Sequence, residues 1–291
     1  MKKLHHPDLK KMSTLKMGGR AGAIYYPEQE SHLEKLSGII GSDQRCMFLG
    51  RGSNVLFTDN TADLVLIKWH GNLQPEISAR EGEHILVNVD AGFPLPRLLG
   101  WSASRGLSGL EGLAGIPGSV GGAVVMNAGS HGVDFCSLLS RVWIWTPAAG
   151  LQCLQPEEFS HGYREFKINT LPGEFLVTAA LISLTPSSPE VVQENIKKFY
   201  LRKKKVQPVL AATAGCVFKN PPNGESAGRL LDQAGFRGKK SGQTAFSTKH
   251  ANFLVNLGNG TSLQALALIQ EAREKVKQVS GHELQLEIRI I

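Results

Sequence analysis

Long apolar runs are missing from this chain of 291 residues. No stretch approaches the ~18 consecutive apolar residues that a membrane-spanning helix needs. The N-terminus, MKKLHHPDLKKM, has lysines but no apolar segment behind them, so no secretory leader is expected. Cysteine pairs are missing too. Cys46, Cys136, Cys153 and Cys216 form no C-x-x-C, which indicates neither a zinc site nor a disulfide framework. A reduced, cytoplasmic setting is the simplest expectation. Two common phosphate-binding loops are also lacking. Gly50-Arg51-Gly52-Ser53-Asn54 follows a strand-like run, but the third glycine of G-x-G-x-x-G would fall at Val55, and no GK[ST] follows any glycine loop. The basic run Arg202, Lys203, Lys204, Lys205 has no interleaved aromatics and no RNA or DNA motif beside it, so it reads as a solvated helix end.

What is present is an ordinary globular composition, 42% hydrophobic and 20% charged. The net charge is +7 and the pI about 9.2, which suits nucleic acid, a membrane surface or an anionic small substrate without choosing among them. The length allows two medium domains or one large one. The densest signal is residues 106–129, GLSGLEGLAGIPGSVGGAVVMNAG. Glycine loses the most backbone entropy on folding, so such density implies positive φ or close approach. Collagen is excluded by the Leu, Glu, Ala, Ile and Val between the glycines. A linker is excluded by the apolar run Ala123, Val124, Val125, Met126 that follows. The stretch predicts a buried loop that hugs a ligand, offers main-chain N–H groups to an anion and feeds a strand.

Around it, periodicity predicts strands at residues 46–49, 64–69, 84–89, 141–145 and 175–184, and helices at 28–40 and 94–105. Residues 185–189, TPSSP, are the best domain boundary. A basic-ended helix follows at about 190–205. Then come a strand near 215–219, a helix near 226–234, a strand at 253–256, a helix at 262–279 capped by Thr261 and Gln264, and a last strand at 284–291. The pattern reads as α+β with two sheet-containing regions.

Several residues stand out, each with a plain alternative. Arg164, in a turn with Tyr163, can grip a carboxylate or phosphate bidentately, or simply be a surface arginine. Cys216, among small residues, can give a proton or act as a small buried hydrophobe. His250 alone reads as a structural hydrogen-bonding histidine. Glu287 alternates away from Leu284, Leu286, Ile288 and Ile290, facing either water or a cleft.

In this order the pieces resemble the UDP-N-acetylenolpyruvoylglucosamine reductase family, flavoenzymes of bacterial peptidoglycan precursor synthesis. The marks are STLKMGG, LGRGSNVL, GLEGLAGIPGSVGGAVVMNAG, YR at Tyr163-Arg164, AGCVFKNP, HANFLVN and LEIR. They span about residue 13 to 291, and the length is similar to the shorter branch of the family. The resemblance implies an FAD-binding domain of the vanillyl-alcohol-oxidase (PCMH) type at 17–186 and a substrate-binding α+β domain at 190–291. It implies NADPH as co-substrate, UDP-N-acetylglucosamine enolpyruvate as substrate, and no nucleic-acid or membrane partner for a cytoplasmic monomer.

By the same resemblance, the flavin contacts fall on Gly50, Arg51, Gly52, Ser53 and Asn54, and on Gly112, Gly115, Ile116, Pro117, Gly118, Ser119, Gly121, Gly122 and Asn127. Tyr163, Lys219, Asn220, Arg229 and Arg237 are implied for substrate. Arg164 and Glu287 would hold an enolate formed by hydride from reduced flavin N5, and Cys216 would protonate it where many relatives carry serine. Rival readings are another flavin oxidase on the same scaffold and a basic nucleic-acid-binding protein.

Overall fold

The computed structural model describes residues 1–40, 45–71, 73–169, 173–222 and 224–291. The chain forms two compact units, each assembled from separate stretches. The first holds Met1–His5, Ala23–Arg51 and Asp63–Arg202; the second holds His6–Gly22, Gly52–Ala62 and Lys203–Ile291.

In the first unit, a four-stranded sheet runs in the order Lys2–His5, Ala23–Tyr26, Val65–Ile67, Cys46–Phe48. The last three strands are mutually parallel. Helix α1, Glu30–Ile39, buries Leu33 and Leu36 in the small core that these strands share with Trp145 and Leu176. A larger antiparallel sheet has the order Gly150–Leu154, Leu139–Thr146, Leu176–Pro186, His84–Asp90, Glu76–Glu81. Its long central strand Leu176–Pro186 also pairs with Leu107–Ser108, so the polar segment at 185–186 is taken up as strand. Val142, Ile144, Ala180 and Ile182 bury one face, as period-two alternation requires. Glu76–Glu81 is an edge strand exposed along its length, and its charges suit that place.

Helix α2, Leu95–Ser104, starts after Pro94 and buries Leu95, Leu98, Leu99, Ser102 and Ala103, a helical stripe. The apolar run expected to be a strand is instead helix α3, Val120–Val125. Four apolar residues are too few for periodicity to separate helix from strand. The deciding bonds are Ala123 N–H to Ser119 O and Met126 N–H to Gly122 O. Helix α4, Pro189–Val206, carries the chain from the first unit into the second between Arg202 and Lys203. Its basic end is not wholly solvated, because Lys203 is only 4% exposed.

In the second unit, an antiparallel sheet has the order Ala212–Cys216, Phe253–Asn256, Thr244–Phe246, Lys240–Ser241. Helix α5, Ala227–Gln233, and helix α6, Ser262–Ser280, complete it. The Thr261–Gln264 capping box is formed, and Gly281 ends α6 in the left-handed region at φ 72°. Leu15, Met17 and Leu56 join this core with Leu230, Phe246, Leu268 and Ile288. The last strand is shorter than expected. Only Arg289–Ile290 is strand, parallel to Val55–Leu56. Upstream, Leu286 makes a single bridge to Phe218, because the neighbouring segment there is irregular. The α+β reading holds.

Candidate functional site

In the first unit, two glycine-rich turns far apart in sequence meet. A Cβ on Gly50 would sit 2.9 Å from Ser119 Oγ and 3.7 Å from Gly122 Cα. The two turns are therefore in close contact, the Ser119 hydroxyl being the nearest atom to the Gly50 position. Gly121 packs as tightly, its absent Cβ 3.0 Å from Ala91 Cβ, while its N–H donates to Ala91 O at 2.8 Å. A Cβ on Gly112 would sit 2.6 Å from Ser130 O. Gly115 has φ 81°. Gly118 and Ser119 are buried, Gly115 and Ile116 half-buried, and Pro117 exposed. Beside the Gly50 turn, burial holds the Lys68 ammonium below its usual value, and the like charge of Arg51 adds to this.

Arg164 and Tyr163 form the two-residue turn between strands Phe159–Gly162 and Glu165–Ile168. Arg164 has φ 58°, a left-handed conformation uncommon for a side-chain-bearing residue. Its guanidinium lies 5.1 Å over the Tyr163 ring and donates from Nη2 to Gly129 O at 3.1 Å. The Asp134 carboxylate and Arg164 Nη1 both crowd the Gly129 position: a Cβ there would overlap the carboxylate, which would have to swing aside, and would lie 3.1 Å from Nη1. Asn127 is 1% exposed; its amide donates to Gly162 O at 2.8 Å and accepts from Cys136 N–H at 3.0 Å. The first bond ties down Gly162, the residue just before the turn that carries Arg164, and the second fixes the Asn127 amide that makes it.

In the second unit, Cys216 ends the edge strand after a bulge. Thr213 pairs with Val255 and Cys216 with Phe253, so one extra residue is inserted, and Gly215 takes φ 83°. Bulges of this kind re-aim side chains. Glu287 N–H donates to Val217 O at 2.8 Å, and Lys219 N–H to Gln285 O at 2.8 Å, which lays the Glu287 segment beside the Cys216 segment. Asn54 donates its side-chain amide to Glu287 O at 2.9 Å and accepts Arg289 N–H through its main-chain carbonyl at 3.0 Å. Gly52 has φ 64°, and its Cβ would overlap Met12 O. Ser53 is half-buried beside it.

Sequence reasoning missed Asn252. It is 1% exposed, and its amide spans the Phe218 main chain, accepting from N–H at 2.9 Å and donating to C=O at 2.8 Å. The side chain acts as a strand partner where the sheet stops, and nothing in the motif HANF announces that.

Asn220 accepts Ala227 N–H at 3.0 Å, fixing the start of α5. Arg229 pairs with Glu225 at 3.1 Å on the surface. Arg237 makes a two-pronged pair with Asp232, both bonds 2.6 Å, and donates to the carbonyls of Thr248 and Lys249. The loop it holds borders a cavity of about 360 Å³ rimmed by Lys204, Lys240, Lys249, Ser247 and Thr248 over Val209, Ala245 and Val255. Such a lining suits an anion with an apolar body.

Residues 21–150 match the FAD binding domain family. With the meeting glycine turns in that same part, the protein is an α+β flavoprotein. Residues 207–291 match the family described as UDP-N-acetylenolpyruvoylglucosamine reductase, C-terminal domain. The chain is 45% identical to the UDP-N-acetylenolpyruvoylglucosamine reductase of Nitratidesulfovibrio vulgaris over 100% of its length and 99% of the relative's. It is also 45% identical to that of Oleidesulfovibrio alaskensis, over 99% and 97%. The crystal structure of the Thermus caldophilus enzyme of that name superposes with TM-score 0.80 at 33% identity, covering 99% of this chain and 98% of that one. The chain belongs to the UDP-N-acetylenolpyruvoylglucosamine reductase family.

Proposed function

We propose that this protein is an NADPH-dependent flavoenzyme that reduces the enolpyruvyl ether of UDP-N-acetylglucosamine to the lactyl ether, UDP-N-acetylmuramate, as a cytoplasmic monomer. The assignment of 17–186 to flavin and 190–291 to substrate belongs to this proposal. The glycine turns fit FAD, because the Gly50 turn lies close to Ser119 and Gly122, so that small residues and main chain line the place where the two turns meet. Gly50, Arg51, Gly118, Ser119, Gly121 and Gly122 would hold it, and bound FAD would supply the hydride taken from NADPH.

The observation that carries the reading is the main-chain bond from Glu287 N–H to Val217 O, which sets a carboxyl-bearing residue beside a bulge that ends in a thiol. Arg164, its fork fixed at Gly129 O, stabilises negative charge on the enolpyruvyl carboxylate. Glu287 shares that carboxylate as a hydrogen-bonded partner. The Cys216 thiol gives the proton to the carbon next to the carboxylate, and it is far more acidic than the serine hydroxyl many relatives use. Lys219, Asn220 and Arg229 are proposed for the sugar nucleotide, with Tyr163 at its edge. Arg237 serves it through the loop that edges the lysine-rimmed cavity, which is proposed to take the diphosphate.

Anaerobic stopped-flow separates the two half-reactions. NADPH should bleach the flavin, and the enolpyruvyl sugar nucleotide, without oxygen, should restore its colour. Cys216→Ala should leave bleaching nearly intact and slow recolouring by at least ~100-fold, while Cys216→Ser keeps much of the rate. Wild-type recolouring in Cys216→Ala removes the thiol from the mechanism. Recolouring by oxygen alone removes the reductase assignment.

A further inference from the structure

Asp90 ends the strand His84–Asp90 and is only 4% exposed, an uncommon place for a carboxylate. Both of its oxygens are occupied. Oδ1 accepts Gly92 N–H at 2.8 Å, and Oδ2 accepts the Trp69 indole N–H at 3.1 Å. Burial pushes the carboxyl above its ordinary value, and these two bonds work against that push. Two donors facing two oxygens match the carboxylate; neither N–H has a lone pair with which to accept the O–H of a protonated acid. Glycine is needed on both sides of the clamp. A Cβ on Gly71 would overlap Oδ2, and one on Gly92 would lie 2.9 Å from Trp69 O and 3.1 Å from Oδ1.

The turn that this clamp shapes is the one against which the second glycine loop is set. Phe93 N–H closes the turn onto Asp90 O at 3.0 Å. Ala91 O then accepts Gly121 N–H at 2.8 Å, Phe93 O accepts Val120 N–H at 3.0 Å, and Leu95 N–H donates to Gly118 O at 3.0 Å. Residues 118–121 thus take their register from residues 91–95, and Gly122, one residue on, is where the Gly50 turn arrives.

We propose that Asp90 is a positioning residue for FAD. Gripped by Trp69 and Gly92, its carboxylate fixes the turn that sets the register of residues 118–122, so FAD affinity depends on a side chain that need not touch the cofactor. The proposal rests on the FAD reading of the first unit, which the wild-type measurement tests separately.

The test uses purified holoprotein, with FAD release followed on dilution by the rise in flavin fluorescence, and with visible circular dichroism of the bound flavin. Asp90→Asn keeps the shape but turns an N–H toward one of two donors. It should weaken FAD binding by about tenfold or more and alter the visible dichroism, while thermal unfolding stays cooperative. In the Trp69→Phe background the indole donor is gone, and the asparagine can turn its N–H to that side. Asp90→Asn with Trp69→Phe should then bind FAD within about threefold of wild type. A general loss of stability would not be repaired by deleting a second large side chain. If Asp90→Asn does not fold, Trp69→Phe alone decides: it should weaken FAD about threefold with altered dichroism. Wild-type affinity and dichroism in Asp90→Asn or, failing that, in Trp69→Phe overturn the proposal, as does a double variant no tighter than Asp90→Asn. A wild-type protein that binds no FAD overturns the underlying reading instead.

Discussion

His250 is held in its neutral form. Burial lowers its affinity for a proton, and the nearby Arg237 lowers it further. The ring packs at 5.0 Å from Phe253, a Cβ on Gly228 would lie 2.8 Å from its Cε1, and Nδ1 accepts Asn252 N–H at 3.3 Å. The unfolded chain titrates this histidine near the ordinary 6.5, whereas the folded chain takes the proton only at lower pH. Its contribution to stability is therefore complete above the ordinary value and declines as pH falls below it. His250→Gln should give a melting temperature that falls less steeply than wild type between about pH 7 and 5; parallel curves would count against this. The structural part for His250 was readable from the sequence. The Asn252 clamp and the Arg237–Asp232 fork were not, because each depends on a loop closing back on itself over a distance that residue type alone does not encode.

Among the elements, the bulge before Cys216 and the turn at Gly52 both use left-handed glycine, for different reasons. Gly215 has φ 83° with nothing among the described residues within 4 Å of where a Cβ would stand. Gly215→Ala therefore meets only the backbone preference, about 1–2 kcal/mol. The protein should fold with a modestly lower melting temperature, and the relief of strain should shift Cys216, slowing flavin recolouring more than bleaching. Gly52→Ala meets the same preference plus the Met12 carbonyl, which is main chain and cannot swing aside. It should be recovered mainly as insoluble protein. A soluble Gly52→Ala with a wild-type melt would show that the 12–16 segment yields more easily than its bonds suggest. The two helices with full stripes and caps, α2 and α6, were legible because each carries its own periodic and terminal signals. The short α3 and the fragmentary last strand were not, because their form is decided by partners rather than by their own pattern.

At the scale of the whole molecule, the units differ from what a linear cut would give. The matched C-terminal family covers 207–291, yet the second unit also holds His6–Gly22 and Gly52–Ala62. Leu15, Met17 and Leu56 are fully buried in its core, and Arg289–Ile290 has Val55–Leu56 as its parallel partner. Asn256, in the strand Phe253–Asn256, donates to the carbonyls of Leu15 and Lys16, both at 3.1 Å. Thr14 Oγ1 donates to Thr213 O at 2.6 Å. A fragment of residues 203–291 would lack all of these. Each fully buried large side chain is worth about 1.5–3 kcal/mol, so three of them equal most of the net stability of a small domain. The isolated fragment should therefore show no cooperative thermal transition by circular dichroism and poor amide dispersion by NMR. Adding peptides of residues 6–22 and 52–62 together should restore dispersion more than either alone. A fragment that melts cooperatively by itself would mean that the N-terminal segments decorate this core rather than complete it. Local pattern reaches such segments poorly, because a strand of two residues, Val55–Leu56, carries no period. What marks it is its place after LGRGSN, where the chain passes from the first unit to the second between Arg51 and Gly52.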